Sequence, residues 1–323
     1  MKKVLIIKQG ALGDIVMTTP LLKPIRNHHA DDELWILTTP LYADIFSRWP
    51  GIHVKGLPRA GIYNYLQTVF WIRKTRFDRI YDLQSSDRTA LLCLLSNARE
   101  RIGNHPRYPY NIHPVDRFRG QYHIFRRMQI IIASAGITCS DGKPSLPVNP
   151  DEQERVVSWL NRHGLLDKSF AVLHAGASPR HPEKRWPFYK QIGKLLEDRG
   201  IRPVWAGARD DAALNVALAE AAGINATSIF TLPELAELGR HARFAITNDS
   251  GPMHVLSCSN IPVYALFGPT NWRRNHAIGQ AHNVISLQPD DIEGKAITDP
   301  AISRLENIPV QRVVDRLEQD GML

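Results

Sequence analysis

Short apolar runs rich in Val, Ile and Leu alternate along this chain with stretches whose apolar residues recur three and four positions apart. In the first half the runs predict strands at 4–8, 33–37, 53–57 and 79–83, and the wider spacing predicts helices at 15–28, 63–74 and 88–97. The second half repeats the plan. Strands are predicted at 171–174, 203–206, 226–229, 244–247 and 263–267, with helices at 188–199, 212–222, 233–241 and 252–259 and a last one at 309–319. Such alternation implies βαβ units and parallel sheets, an α/β fold. Residues 140–150 are crowded with Gly, Pro, Ser and Asp and read as a linker, with Asn149 placed to cap the next helix and Pro150 to begin it. The expectation is therefore two Rossmann-like domains, 1–150 and 151–323, with the last helix a candidate to pack back on the first. Two such domains facing each other leave a cleft at the carboxyl ends of their strands, where ligands bind in open α/β sheets.

Composition narrows the class. The 323 residues are 43% hydrophobic and 22% charged, ordinary for a globular protein and too apolar for a disordered one. No apolar stretch approaches the roughly 18 residues of a spanning helix, and the run at Val4–Ile7 is closed by Lys8, so it reads as a buried strand rather than a secretion signal. Three widely spaced cysteines without a C-x-x-C argue for a reducing cytoplasm and against a zinc site. Charge is unevenly divided. Residues 1–150 carry 21 Lys and Arg against 11 Asp and Glu, a net of +10, whereas 151–323 carry 19 against 21, a net of −2. The first half thus invites an anionic partner.

Several familiar motifs are missing. Gly10-x-x-Gly13 is not the dinucleotide G-x-G-x-x-G, and neither a G-x-x-x-x-G-K-[ST] loop, an H-E-x-x-H nor a G-x-S-x-G occurs. The 13 histidines show no metal spacing. Arg99, Arg101, Arg107, Arg117, Arg119, Arg126 and Arg127 interleave with Tyr108, Tyr110 and Tyr122, yet no nucleic-acid module surrounds them, so no nucleic-acid partner is expected and a solvated or substrate-facing loop is the better reading.

What remains is a set of turns at predicted strand ends. After the first strand comes Lys8-Gln9-Gly10-Ala11-Leu12-Gly13-Asp14, running into Thr18-Thr19-Pro20. Two glycines permit close backbone approach to a ligand, and Asp14 is equally readable as a helix cap or as a carboxylate that takes a proton from an attacking hydroxyl. After the first strand of the second half, His174 leads through Ser178 to Lys184-Arg185-Trp186-Pro187, a diphosphate clamp or a solvated helix-entry loop. Thr247-Asn248-Asp249-Ser250-Gly251-Pro252-Met253-His254 is a third such turn, with capping residues and open amides, and Phe267-Gly268-Pro269-Thr270 ends the next strand. Gly207-Ala208-Arg209-Asp210-Asp211 offers an acid where such folds hold ribose hydroxyls.

In this order, these motifs resemble the ADP-heptose:lipopolysaccharide heptosyltransferases of glycosyltransferase family 9, inverting enzymes of the GT-B fold, along nearly the whole chain. The resemblance implies that Asp14 is the general base, that Gly13, Ser178, Lys184, Asp249, Ser250 and Gly251 contact the donor, and that His254 supports that turn. It implies that Asp211 meets the ribose, better than Asp210, and that Phe230 packs on adenine. Pro252 departs from the apolar residue usual there and removes one amide. Thr18, Arg59 and Arg107 become acceptor candidates. ADP-heptose would be a substrate, with no cofactor and no metal, because basic side chains and amides can stabilise a leaving diphosphate. The acceptor would be an anionic, lipid-linked inner-core oligosaccharide at the inner membrane surface, which accounts for the charge of the first half. A cytoplasmic enzyme, peripheral at the inner face of that membrane, is the resulting expectation. The alternatives are a transferase of the same fold with another nucleotide sugar or acceptor, and a non-catalytic polyanion-binding protein, against which the intact Asp14, Lys184 and Asp249 set speaks.

Overall fold

In the computed structural model the chain divides into two compact units, Met1–Pro147 and Val148–Leu323. The structure describes residues 1–104, 108–115, 118, 122–140, 142–165, 167–289 and 297–323. Each unit is built around one parallel sheet.

The first sheet comprises β1 (Lys3–Ile7), β2 (Glu33–Thr38), β3 (Ile52–Gly56), β4 (Arg79–Asp82) and β5 (Glu100–Ile102), in the order β3-β2-β1-β4-β5. Val4 to Ile7 of β1 are completely buried, as an apolar run flanked on both sides by parallel neighbours should be. The helix Leu12–His28 follows β1 and buries Ile15, Val16, Met17, Leu21, Leu22 and Ile25. A second helix, Ile124–Ala133, packs against it through an amphipathic face of Phe125, Met128, Ile131 and Ile132. Strand order reverses between β1 and β4.

The second sheet comprises β6 (Phe170–His174), β7 (Arg202–Gly207), β8 (Ile224–Thr227), β9 (Ala245–Asn248), β10 (Val263–Phe267) and β11 (Val284–Ser286), in the order β11-β10-β9-β6-β7-β8. Here the reversal lies between β6 and β9. The linker helix Pro150–Arg162 begins with a reciprocal cap, in which the Glu152 amide donates to Asn149 Oδ1 at 2.8 Å and the Asn149 amide donates to Glu152 Oε2 at 2.9 Å. Strand β8 sits two residues earlier than the apolar pattern implied, because Ser228 takes a positive φ and ends it, leaving Ile229 exposed. The last helix, Val310–Gln319, inserts Val313, Val314 and Leu317 into the core of its own unit beside Trp186, Ile192 and Leu196. Among the described residues no helix is long and apolar enough to cross a membrane.

Candidate functional site

All strands of each sheet run in one direction, so every turn that follows a strand emerges on one edge. In the first unit that edge carries Asp14 after β1 and Arg59, exposed, after β3. Asp14 occupies the third position of the helix Leu12–His28, whose N-cap is Ala11 with no side-chain cap. The carboxylate is therefore not a cap. Its Oδ2 accepts a hydrogen bond from Lys8 Nζ at 3.1 Å, and the same ammonium donates to the Leu83 carbonyl at 3.1 Å. Lys8 is 1% exposed, whereas the Asp14 side chain keeps 25% of its surface. Oδ1 of Asp14 has no hydrogen-bond partner among the described residues. A fixed buried cation thus turns one carboxylate oxygen inward and leaves the other facing out. Gly13 precedes it in the same turn.

Thr18 does not join this surface. It is fully buried, and its hydroxyl donates to the Asp14 carbonyl at 2.8 Å, so it has no face for an acceptor. Arg107 lies outside the described residues. Beneath the end of β4, Asp82 is entirely buried, and burial pushes its carboxyl up despite hydrogen bonds from Tyr110 at 2.5 Å and from the Gln84 and Ser85 amides. It anchors the turn that supplies the Leu83 carbonyl to Lys8.

In the second unit the turns after β6 and β9 meet at the strand-order reversal, where open α/β sheets bind ligands. Lys184 Nζ donates to Asp249 Oδ2 at 2.6 Å, joining the two turns. Asn248, fully buried, accepts from the Trp186 amide and the Tyr189 hydroxyl, each at 3.2 Å, and donates to the carbonyls of Ala175 and Gly176 at 3.0 Å. Ser250 is the N-cap of the helix Gly251–Leu256, but its hydroxyl lies 3.3 Å from His174 Nδ1 instead of capping. Gly251 is half-buried at the helix start and His254 is buried within it, while Ser178 is exposed on the turn after β6.

Asp211, the acid expected at the ribose, is turned inward in this structure. It is buried, accepts a hydrogen bond from the Ala208 amide at 3.0 Å, and faces His174 Nε2 at 3.8 Å. Burial alone would raise its carboxyl; the His174 contact, the Ala208 amide and the Arg185 charge outweigh it and hold the carboxyl below the usual range. The carboxylate fills the space that a side chain at Gly176 would need and also crowds Gly207. Its hydrogen bonds are internal, and the exposed acid of that turn is Asp210. Phe230 follows β8 and packs edge-on against Trp159, with ring centroids 5.1 Å apart, on a groove of about 570 Å³ shared with Arg155, Arg162 and Glu234. Lys8 and Asn248 were present in the motifs but had no role assigned from sequence. A lysine closing a fully apolar strand just before a glycine turn is the signal that could have singled out the first.

The model of glycosyltransferase family 9 (heptosyltransferase) matches residues 70–300. Lipopolysaccharide heptosyltransferase 3 of Escherichia coli is 24% identical over 81% of this chain and 83% of that protein. Two solved structures share the fold. A family 9 glycosyl transferase from Veillonella parvula superposes with a TM-score of 0.82 at 22% identity over 98% of this chain and 96% of that one. The ADP-heptose LPS heptosyltransferase II of E. coli does so with 0.73 at 23% over 98% of both. Together with the two parallel sheets they establish the GT-B architecture.

Proposed function

The chain belongs to glycosyltransferase family 9, the heptosyltransferases, and from that premise we propose that it transfers L-glycero-D-manno-heptose from ADP-heptose to an inner-core lipopolysaccharide acceptor with inversion at the anomeric carbon. The observation that carries this reading is the Lys8–Asp14 pair at the end of β1. With Oδ2 held by the ammonium, Oδ1 is the atom that accepts the acceptor's hydroxyl proton. The acceptor oxygen then bonds to the anomeric carbon as the bond from that carbon to the diphosphate breaks on the opposite face, and ADP departs.

The donor half of the chemistry is assigned to the second unit. An ammonium has three donors, and Lys184 gives one to Asp249, leaving two for a diphosphate. Asp249 in this reading aims the lysine rather than meeting phosphate itself, since two anions would repel. Ser178, Ser250 and Gly251 border the same turns and complete the polar lining. Because the cationic lysine can neutralise the leaving group, the reaction is read as metal-independent, and chelator should leave the rate unchanged. The E. coli relative, an ADP-heptose LPS heptosyltransferase, supports the choice of nucleotide sugar.

The test is acceptor-dependent ADP release from ADP-heptose with heptose-deficient core lipid, in wild type, Asp14→Asn and Asp14→Ala. Loss in both variants by about 10²–10⁴-fold, with donor binding retained, is the expected result. Wild-type release with another nucleotide sugar but not with ADP-heptose would overturn the donor assignment.

A further inference from the structure

The helix Ile62–Thr75 crosses from β3 to β4 and covers one face of the first sheet with Tyr65, Thr68 and Ile72. A surface helix ordinarily turns charged and polar residues outward. This one does not. Ile62, Tyr63, Leu66 and Phe70 are 74%, 73%, 58% and 67% exposed. At about 100° per residue these four positions fall within an arc of roughly 100°, opposite the buried arc. They therefore form one continuous apolar stripe along a helix about 21 Å long.

Along the helix and its flanks, from Leu57 to Phe77, the charge has one sign. Between Leu57 and Phe77 the sequence contains Arg59, Arg73, Lys74 and Arg76 and not one Asp or Glu. All four cations are exposed, Arg59 just before the helix and the other three at its far end. An apolar stripe containing two aromatic rings and bracketed by cations matches the interface of an anionic bilayer. There the rings and aliphatic chains enter the headgroup boundary, while guanidinium and ammonium groups pair with lipid phosphates. A soluble partner protein would need acids to match these cations, and self-association would bring like charges together.

We propose that the outer face of the helix Ile62–Thr75 docks the protein on an anionic membrane surface. The stripe makes no use of Asp14 or Lys184, so the proposal stands or falls separately from the transfer reaction.

The experiment is flotation of the full-length protein with phosphatidylcholine vesicles, with and without phosphatidylglycerol. The Leu66→Ser/Phe70→Ser and Arg73→Glu/Lys74→Glu double variants are compared with wild type, and sedimentation velocity is run without lipid. Wild type should bind only the anionic vesicles and lose binding as salt rises. Each double variant should bind about tenfold less or weaker still, with an unchanged melting temperature and unchanged binding of ADP. Binding that the Leu66→Ser/Phe70→Ser variant retains in full would overturn the proposal, as would failure of wild type to bind anionic vesicles. Wild-type dimers abolished by that variant, without vesicle binding, would assign the stripe to a second copy of the chain instead.

Discussion

The side-chain oxygen of Asn248 accepts a hydrogen bond from the backbone amide of Trp186 at 3.2 Å, and so fastens the end of β9 to the loop that follows β6. The same amide group bonds Tyr189 and the carbonyls of Ala175 and Gly176, so one buried side chain fixes both edges of the turn that carries Lys184. Removing it leaves two donors and two acceptors without that partner in a buried site. Asn248→Ala should therefore cost about 2–4 kcal/mol in urea unfolding, and ADP affinity should fall with it. A variant with wild-type stability would mean the loop is held by other contacts.

Lys184 and Asp249 are expected to act on the donor as a unit. On the proposed donor role of Lys184, Lys184→Met removes a charge-assisted hydrogen bond to diphosphate and should weaken ADP binding by about 10–100-fold. Asp249→Asn releases the lysine from its 2.6 Å partner and should weaken binding by misaiming it. Once the lysine is gone, the asparagine change should matter little, so calorimetric titrations of the two single variants and the double variant should be clearly non-additive. Additive losses would show that Asp249 contacts the donor independently.

The sequence made the frame of this site readable and left its wiring hidden. Val4–Ile7 and Phe170–His174 are apolar runs closed by polar residues, and Gly, Asp, Ser and Pro after them mark turns, so the strands and the carboxyl edge followed from local chemistry. β5 and β11 are three residues each, too short to show a period. The helix Ile124–Ala133 was obscured because Arg126 and Arg127 merge with the arginines before them, although its apolar side is regular. Spacing alone also could not tell which acid of Asp210-Asp211 turns inward. That choice depends on the room left by Gly176, a residue 35 positions earlier and on another strand's turn.

Gly176 accordingly tolerates no side chain. Its missing Cβ is the space occupied by the Asp211 carboxylate, which is itself held by the Ala208 amide. Gly176→Ala should lower stability by about 1–3 kcal/mol in thermal or urea unfolding. Pairing it with Asp211→Ala should recover part of that loss by vacating the space; a double variant no better than the sum of the two would place the strain elsewhere.

Stability should also fall with mild acid through His29. Burial lowers its pKa from the ordinary 6.5, with the Arg79 and His28 charges adding to the effect and the Asp32 hydrogen bond opposing it. The ring lies between Asp32 Oδ2 at 3.0 Å and the Tyr81 hydroxyl at 2.9 Å. As pH drops through 6.5 the unfolded chain takes up a proton that the folded chain still refuses, so stability declines until pH passes below the folded value. Burial depresses His276 in the same direction, so the wild-type slope contains both. His29→Gln should make the decline between about pH 7 and pH 5 shallower. An unchanged slope would remove His29 from the account.

Lys8 offers the sharpest separation of positioning from proton transfer. It touches Asp14 and Leu83 only through its ammonium, and its stem lies buried beside the apolar residues of β1. Lys8→Met keeps that stem and removes the charge, so the Asp14 carboxylate loses the partner that fixes its orientation. On the proposed role of Asp14 as base, Oδ1 then no longer has a set direction toward the acceptor hydroxyl. The expected result is a fall in kcat of about tenfold to a hundredfold, smaller than that of Asp14→Asn, with the KM for donor unchanged. Once Asp14 itself is replaced, orienting it serves nothing, so Lys8→Met/Asp14→Asn should be no slower than Asp14→Asn alone. A double variant slower than Asp14→Asn alone would assign Lys8 to holding the Leu83 turn instead.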